Sequence, residues 1–375
     1  MCAAHRVLES IVPLDDLFTP FTVRSLTVPN RFAMAPMTRQ ASPDGVPGAD
    51  VAEYYRRRAG GGVGLVITEG VRLPDPAAGY PFDVPTLAGD DVLAGWSRVV
   101  DAVHAEGATI AAQLWHQGAL RSDRDGVVPV GPSGVDEHGA PRGRALQTDE
   151  LAQLVALYAD TARTARAVGF DAIELHGAHG YLLDEFLWHR TNRRTDGYGG
   201  SVAARTRFPA EVVAAVRAAV GPDFPIIFRF SQWKATDYEA SIADDPSQLQ
   251  EVLAPLVDAG VDVLHPSTRR HYLPAFPEYD RDLSLAGWTK KVTGLPVITV
   301  GSVGLETQFR SEQRGQVIAP APVDRLVEQF EAGEFDLVAV GRALLADPGF
   351  VNRLRDGRFD GFAGYDPAVA LASLT

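Results

Sequence analysis

Residues Gly169–His176, GFDAIELH, put a helix-stopping glycine ahead of an aspartate and a short apolar run. The same grammar returns at Gly260–His265, GVDVLH, and at Gly333–Val338, GEFDLV. Glycine closing one helix just before a strand opens is the punctuation of repeated β/α units, not of a short-period solenoid. Working outward, apolar runs carrying β-branched residues occupy Arg31–Met37, Val63–Glu69, Ala108–Trp115, Phe170–His176, Pro225–Ser231, Val261–Ser267, Pro296–Ser302 and Phe335–Arg342. Their nearly unbroken apolarity predicts strands covered on both faces, as in a parallel sheet. Helical periodicity fills the intervals at Ala49–Ala59, Thr148–Val168, Pro209–Val220, Pro246–Ala259 and Val323–Glu331, with Thr148 read as an N-cap. Eight strands alternating with helices predict the α/β class and a closed (β/α)8 TIM barrel.

Phe21–Arg31 alternates apolar and polar residues about Ser25, which predicts a hairpin capping the bottom of the barrel. Connections Gln117–Gln147, Gly177–Arg207 and Ser267–Ser284 are too long for ordinary links. All three follow strand C-terminal ends, where barrel active sites form. No low-complexity linker interrupts the chain, so one domain is expected over residues 1–375, with 1–16 as an extended or frayed leader.

Composition narrows the function. At 375 residues, 46% hydrophobic and 22% charged, the chain has material for a large core. A formal net charge of -13 argues against nucleic-acid binding, since nothing offsets phosphate repulsion over most of the surface. Cys2 is the single cysteine, which excludes an internal disulfide, a cysteine zinc site or an iron–sulfur cluster. No run of about 18 apolar residues and no basic-then-apolar leader is seen, so the expected address is the cytoplasm, away from membranes.

Polar residues at the strand ends should define the chemistry. Gly301-Ser302 and Gly341-Arg342, after strands seven and eight, suit a phosphate site: glycine lets backbone N–H groups approach the oxygens and Arg342 adds a forked cation. They equally suit ordinary strand-ending turns. Arg229, inside the apolar Phe228-Arg229-Phe230, is costly to bury unless an anion or a carboxylate such as Glu69 or Glu174 meets it. Gln113 can donate and accept, as a pyrimidine-like edge requires, or sit satisfied in the core. In Glu174–Tyr181, ELHGAHGY, one reading has His176 and His179 ligate a metal, though no third ligand stands near them in sequence. Another has one of them simply satisfied in the core, and a third has both imidazoles donate to one substrate oxygen while Tyr181 delivers a proton.

Assembled, these stretches resemble the Old Yellow Enzyme family of FMN-dependent ene-reductases. The resemblance runs from Leu17–Arg39 through GVGLVITEG (Gly62–Gly70), AAQLWHQG (Ala111–Gly118), ELHGAHGYLLDEFL (Glu174–Leu187) and NRRTDGYGGS (Asn192–Ser201) to FDLVAVGRALLADP (Phe335–Pro348). It implies that Pro36, Met37, Thr38, Gly70 and His176 line the flavin, that Gln113 bonds its pyrimidine edge, and that Arg229 sits beside N1 and the C2 carbonyl. There the cation favours the reduced, anionic flavin. Gly301, Ser302, Gly341 and Arg342 would hold the FMN phosphate. His176 and His179 would grip a carbonyl or nitro oxygen of an enone or nitroalkene, hydride would reach the β-carbon, and Tyr181 would protonate the α-carbon. A tyrosine, with an ordinary pKa of about 10, keeps its proton at neutral pH. Trp115, Tyr272 and Phe276, with Tyr279, would wall the substrate pocket, although such loop aromatics can equally pack on the barrel rim.

NADPH or NADH would supply electrons. With no glycine-rich dinucleotide fingerprint in the sequence, the nicotinamide is expected to bind transiently over the same flavin face. Where relatives carry Glu-Asn-Arg after the Tyr-Gly-Gly-Ser run, this chain has Ala203-Ala204-Arg205, which should weaken a local brace. Larger relatives with an iron–sulfur cluster and a second dinucleotide domain are not expected to match in kind. A metal-assisted hydrolase using His176 and His179 would leave Gln113 and Arg229 without a role. A non-catalytic flavin barrel should lack Tyr181 or a histidine. A homo-oligomer stays open.

Overall fold

The computed structural model describes residues 14–80, 82–308 and 315–374. Cys2 and most of the expected leader lie outside them. Residues 14–16 are not extended: Asp15–Phe18 forms a 3-10 turn that buries Leu17.

Eight parallel strands build the barrel: β1 (Phe32–Met34), β2 (Leu65–Arg72), β3 (Thr109–Trp115), β4 (Ala172–His179), β5 (Ile226–Lys234), β6 (Val263–Pro266), β7 (Ile298–Val300) and β8 (Leu337–Val340). Each pairs with its sequence neighbour, and β8 pairs back onto β1. Between β6 and β7 the ring is completed by a parallel bridge of Leu264 to Val297. All eight coincide with the expected apolar runs.

The aspartates of the repeated phrase explain its recurrence. Asp171 Oδ2 accepts the Ile110 N–H at 2.8 Å, Asp262 Oδ2 that of Ile226 at 2.9 Å, and Asp336 Oδ2 that of Val297 at 2.9 Å. Each carboxylate therefore ties the start of its own strand to the start of the preceding one. Each also meets basic side chains outside the barrel: the His104 ring for Asp171, Arg24 and Arg217 for Asp262, and Lys290 for Asp336.

Alternation along the strands sorts side chains into two cores. One lies inside the ring, with Ala33, Leu65, Ala111, Ile227, Val263 and Leu337 among its members. The other lies between sheet and helices. Strands Phe21–Val23 and Leu26–Val28 form the predicted hairpin, turning through Arg24 at φ 52°. Leu26 and Val28 join the inner core, so the hairpin seals the N-terminal end of the barrel.

The helices depart more from expectation than the strands. Helices α1 (Ala49–Gly60), α3 (Thr148–Val168), α5 (Pro246–Ala259) and α7 (Asp324–Glu331) match within a residue or so. The N-cap of α3 is Gln147, not Thr148, and its backbone N–H is accepted by Glu150 at 2.7 Å. Helix α4 spans Val202–Val220, so Pro209 lies inside it rather than opening it. Ser201 caps its true start by accepting the Ala204 N–H. The Ala203-Ala204-Arg205 departure therefore falls in a first helical turn, and the brace survives because Arg205 donates to the carbonyls of Leu187 and Gly200. Helices α2 (Asp90–Ala105) and α6 (Leu285–Thr293) complete the outer layer without having been singled out in the sequence. Among the described residues, no helix is long and apolar enough to cross a membrane.

Candidate active site

Two residues above the apolar inner layer, the same inward alternation carries Gln113 on β3, Glu174 on β4, Arg229 on β5 and His265 on β6, all buried. Gln113 Nε2 donates to Glu174 Oε1 at 2.7 Å, and the other oxygen, Oε2, lies 2.6 Å from His265 Nδ1. Arg229 Nη2 donates to Ser267 Oγ at 3.2 Å, while its Nε is buried with no partner. Glu69, the other carboxylate considered for Arg229, is engaged elsewhere: it accepts the backbone N–H groups of Arg39 and Gln40. Burial pushes its carboxyl up to about 7.

At the next level a cluster of rings surrounds the ends of β3 and β4. The Tyr181 ring centroid lies 4.9 Å from His176, 5.1 Å from Trp115 and 6.5 Å from His179, all edge-on. His176 and His179 are 5.1 Å apart. Strand β4 runs past its predicted end, with a bulge between Gly177 and His179 that brings both imidazoles to one side of the tyrosine. Burial, reinforced by the Arg229 charge, drives both histidines well below their usual range, so they are neutral donors at neutral pH. His176 Nδ1 is buried with no partner. Among the described residues, no three His, Cys, Asp or Glu side chains are grouped to hold a metal ion.

His179 has φ 67°, in the left-handed region, and is held there from several sides. Its N–H donates to Ser231 Oγ at 2.9 Å, its Nε2 lies 2.8 Å from Ser267 Oγ, and its ring stacks on Trp233 at 4.3 Å. Next to it, Gly180 N donates to Asp184 Oδ2 at 2.6 Å. Asp184 Oδ1 pairs with Lys234 Nζ at 2.7 Å, both side chains being wholly buried. Sequence reasoning passed over Asp184, Ser231, Trp233, Lys234 and Ser267. A lysine and an aspartate within otherwise apolar stretches were the available signal.

The loop after β1 leaves Pro36 and Met37 half-buried and Thr38 exposed. A Cβ added at Gly341 would stand 3.6 Å from Met37 Sδ, so the end of β8 faces this loop. On β2, a bulge after Ile67 brings Gly70 level with Gln113, where an added Cβ would come within 2.7 Å of the Trp115 ring. From adjacent strand ends, the Ser302 hydroxyl donates to the Arg269 carbonyl at 2.8 Å, with the Thr307 carbonyl at 3.1 Å, and Arg342 Nη2 donates to the Thr307 carbonyl at 2.8 Å. Gly301 has φ 135°, and a side chain there would strike the Thr268 carbonyl oxygen at 2.8 Å. Of the loop aromatics, Phe276 packs into the outer core against Trp288, so it belongs to the rim. Tyr272 lies under Arg325, and Tyr279 is exposed.

A parallel barrel whose mouth sets uncharged imidazoles, a phenol and a buried guanidinium around strand ends defines a redox-type barrel enzyme more readily than a hydrolase. The profile of the NADH:flavin oxidoreductase / NADH oxidase family matches residues 16–361. The chain therefore belongs to that family, the Old Yellow Enzymes, and is an NAD(P)H-dependent FMN oxidoreductase. It is 36% identical over 353 residues to an NADH oxidase of Thermoanaerobacter brockii, covering 92% of this chain and 51% of that one, about half its length. It is 36% identical over 365 residues to a chanoclavine-I aldehyde reductase of Penicillium roqueforti, covering 95% and 93% of the two chains. Morphinone reductase in complex with tetrahydroNAD superposes with a TM-score of 0.76 at 33% identity, over 94% of this chain and 93% of that one.

Proposed function

We propose that this chain is an ene-reductase, in which hydride from FMN reduced by NADPH or NADH reaches the β-carbon of an α,β-unsaturated carbonyl or nitro compound. The observation that carries the reading is a set of buried polar nitrogens without partners at the mouth, Arg229 Nε and His176 Nδ1, beside the Gln113 amide. Buried polar groups are expensive to leave unmet, so a polar, planar ligand belongs between them. Pro36, Met37, Thr38 and Gly70 would wall one side of an isoalloxazine, Gln113 would bond its pyrimidine edge, and Arg229 would sit by N1 and the C2 carbonyl. Gly301, Ser302, Gly341 and Arg342 would take the phosphate, Ser302 exchanging the Arg269 carbonyl and Arg342 the Thr307 carbonyl for phosphate oxygens. A bound flavin supplies a two-electron hydride donor that no side chain can provide.

The remaining work belongs to the protein. Neutral His176 and His179 donate to the substrate oxygen, where negative charge gathers as hydride arrives, without reorganising. Tyr181 gives its phenolic proton to the α-carbon and recovers one from water through its half-exposed side. Trp115, edge-on to Tyr181, limits the pocket's width.

The test has two arms. Purified protein is equilibrated with FMN and its absorbance followed near 450 nm, a generic flavin band. NADPH and NADH oxidation is then measured under anaerobic conditions with and without a cyclic enone. Stoichiometric FMN uptake and enone-dependent oxidation are expected; a loaded protein that oxidises nicotinamide and leaves the double bond intact refutes the ene-reductase reading.

A further inference from the structure

We propose that Glu174 is a positioning residue for the cofactor edge: it fixes which end of the Gln113 amide faces the slot and supplies the buried negative charge that Arg229 must share with the flavin. The inference rests on the FMN reading above but concerns residues beneath that slot.

An ionised carboxylate accepts hydrogen bonds and donates none. With Glu174 Oε1 at 2.7 Å from the Gln113 side chain, the amide has to turn its NH2 end downward. What remains for an incoming ring is the carbonyl oxygen and one N–H, a fixed acceptor–donor pair. Burial alone would push the Glu174 carboxyl up, but His265, Arg229 and Gln113 together hold it below the usual carboxylate range. Burial lowers His265 while Glu174 opposes that shift, and because a carboxylate can only accept, the His265 Nδ1 that lies 2.6 Å from Glu174 Oε2 carries its proton toward it. Both of these side chains are wholly buried.

The electrostatic consequence follows from charge count. Glu174 and Arg229 bring buried charges of opposite sign to this level, and burial weakens the arginine's hold on its proton while Glu174 offsets part of that effect. In a low-dielectric interior their mutual attraction competes with the attraction of Arg229 for an anion beside it. Replacing Glu174 by its uncharged isostere leaves the guanidinium uncompensated and shifts preference toward the reduced, anionic flavin.

The experiment compares wild type, Glu174→Gln and Glu174→Asp, reading FMN affinity by quenching of flavin fluorescence and midpoint potential by equilibration with a reference dye. Glu174→Gln is expected to favour the reduced form at least tenfold, an upward shift of about 30 mV for a two-electron couple. Glu174→Asp keeps the charge but draws it away from Gln113, so the potential should stay within about threefold of wild type while oxidised FMN binds roughly tenfold more weakly. Equal loss of affinity for oxidised and reduced FMN in Glu174→Gln would show a merely structural role and overturn the proposal. If that variant does not fold, unchanged FMN affinity in Glu174→Asp overturns it instead. Failure of wild type to bind FMN would sink the functional reading, a separate outcome.

Discussion

Tyr181 stands in the turn that begins with His179 at φ 67°, a conformation that costs a non-glycine residue on the order of 1 kcal/mol. Ser231, Ser267 and the Trp233 ring offset that cost at His179, and the buried Asp184–Lys234 pair secures Gly180 beside it. Lys234→Met strands the Asp184 carboxylate in the interior, and a loss of about 3–5 kcal/mol is expected in urea unfolding. Tyr181→Phe removes only a hydroxyl. It should leave FMN loading and reduction by nicotinamide intact while slowing enone reduction about 10²- to 10⁴-fold, as for loss of a general acid. Stopped-flow measurement of the two half-reactions separates these effects, and equal slowing of both would remove Tyr181 from the acid role.

Among the elements, strands are joined end to end by aspartates. Asp262→Ala would leave the Ile226 N–H and two arginines without their shared acceptor at a nearly dry site. A cost of about 3 kcal/mol is expected, with a fall in the urea midpoint at unchanged slope. Gly301→Ala places a methyl group against a carbonyl and should lower FMN affinity, checked by fluorescence titration, more than it lowers stability. The strands were legible because both faces are covered and β-branched runs are continuous, and the GFD-type phrases mark where they start. Helix starts were less so. At α4 the proline was read as an opening signal, but Ser201 caps the helix two turns earlier and packing carries the chain through Pro209. Asp90–Ala105 went unmarked although its buried residues recur at helical spacing. For the site, polar residues inside apolar strands singled out Gln113 and Arg229 correctly as buried polar groups. Their partners could not be read, because Ser267 lies 38 residues from Arg229 and Glu174 lies 61 from Gln113, distances that only the parallel pairing of neighbouring strands removes.

The whole molecule carries an unusual load of buried imidazole. Burial first, with nearby cations adding, lowers His116 to about 3 and His271 to about 4, and lowers His176, His179 and His265 as well. Below about pH 6.5 the unfolded chain takes up protons that these side chains refuse when folded, so stability falls as pH drops. Burial shifts Glu69 and Glu185 upward, which works in the opposite sense above about pH 4.5, but the histidines outnumber them. Net loss of stability on acidification from pH 6.5 to 4.5 is therefore expected, on the order of a few kcal/mol per unit. Urea unfolding at several pH values checks it; a flat profile would mean that the buried rings accept protons in place.

The hairpin of Leu26 and Val28, finally, makes the barrel a blind cup. If the proposed function holds, the electron donor and the compound to be reduced share the one open mouth and would queue rather than sit side by side. Initial rates plotted against either at fixed levels of the other should give parallel reciprocal lines, bending upward where an excess of one guest bars the doorway to the next.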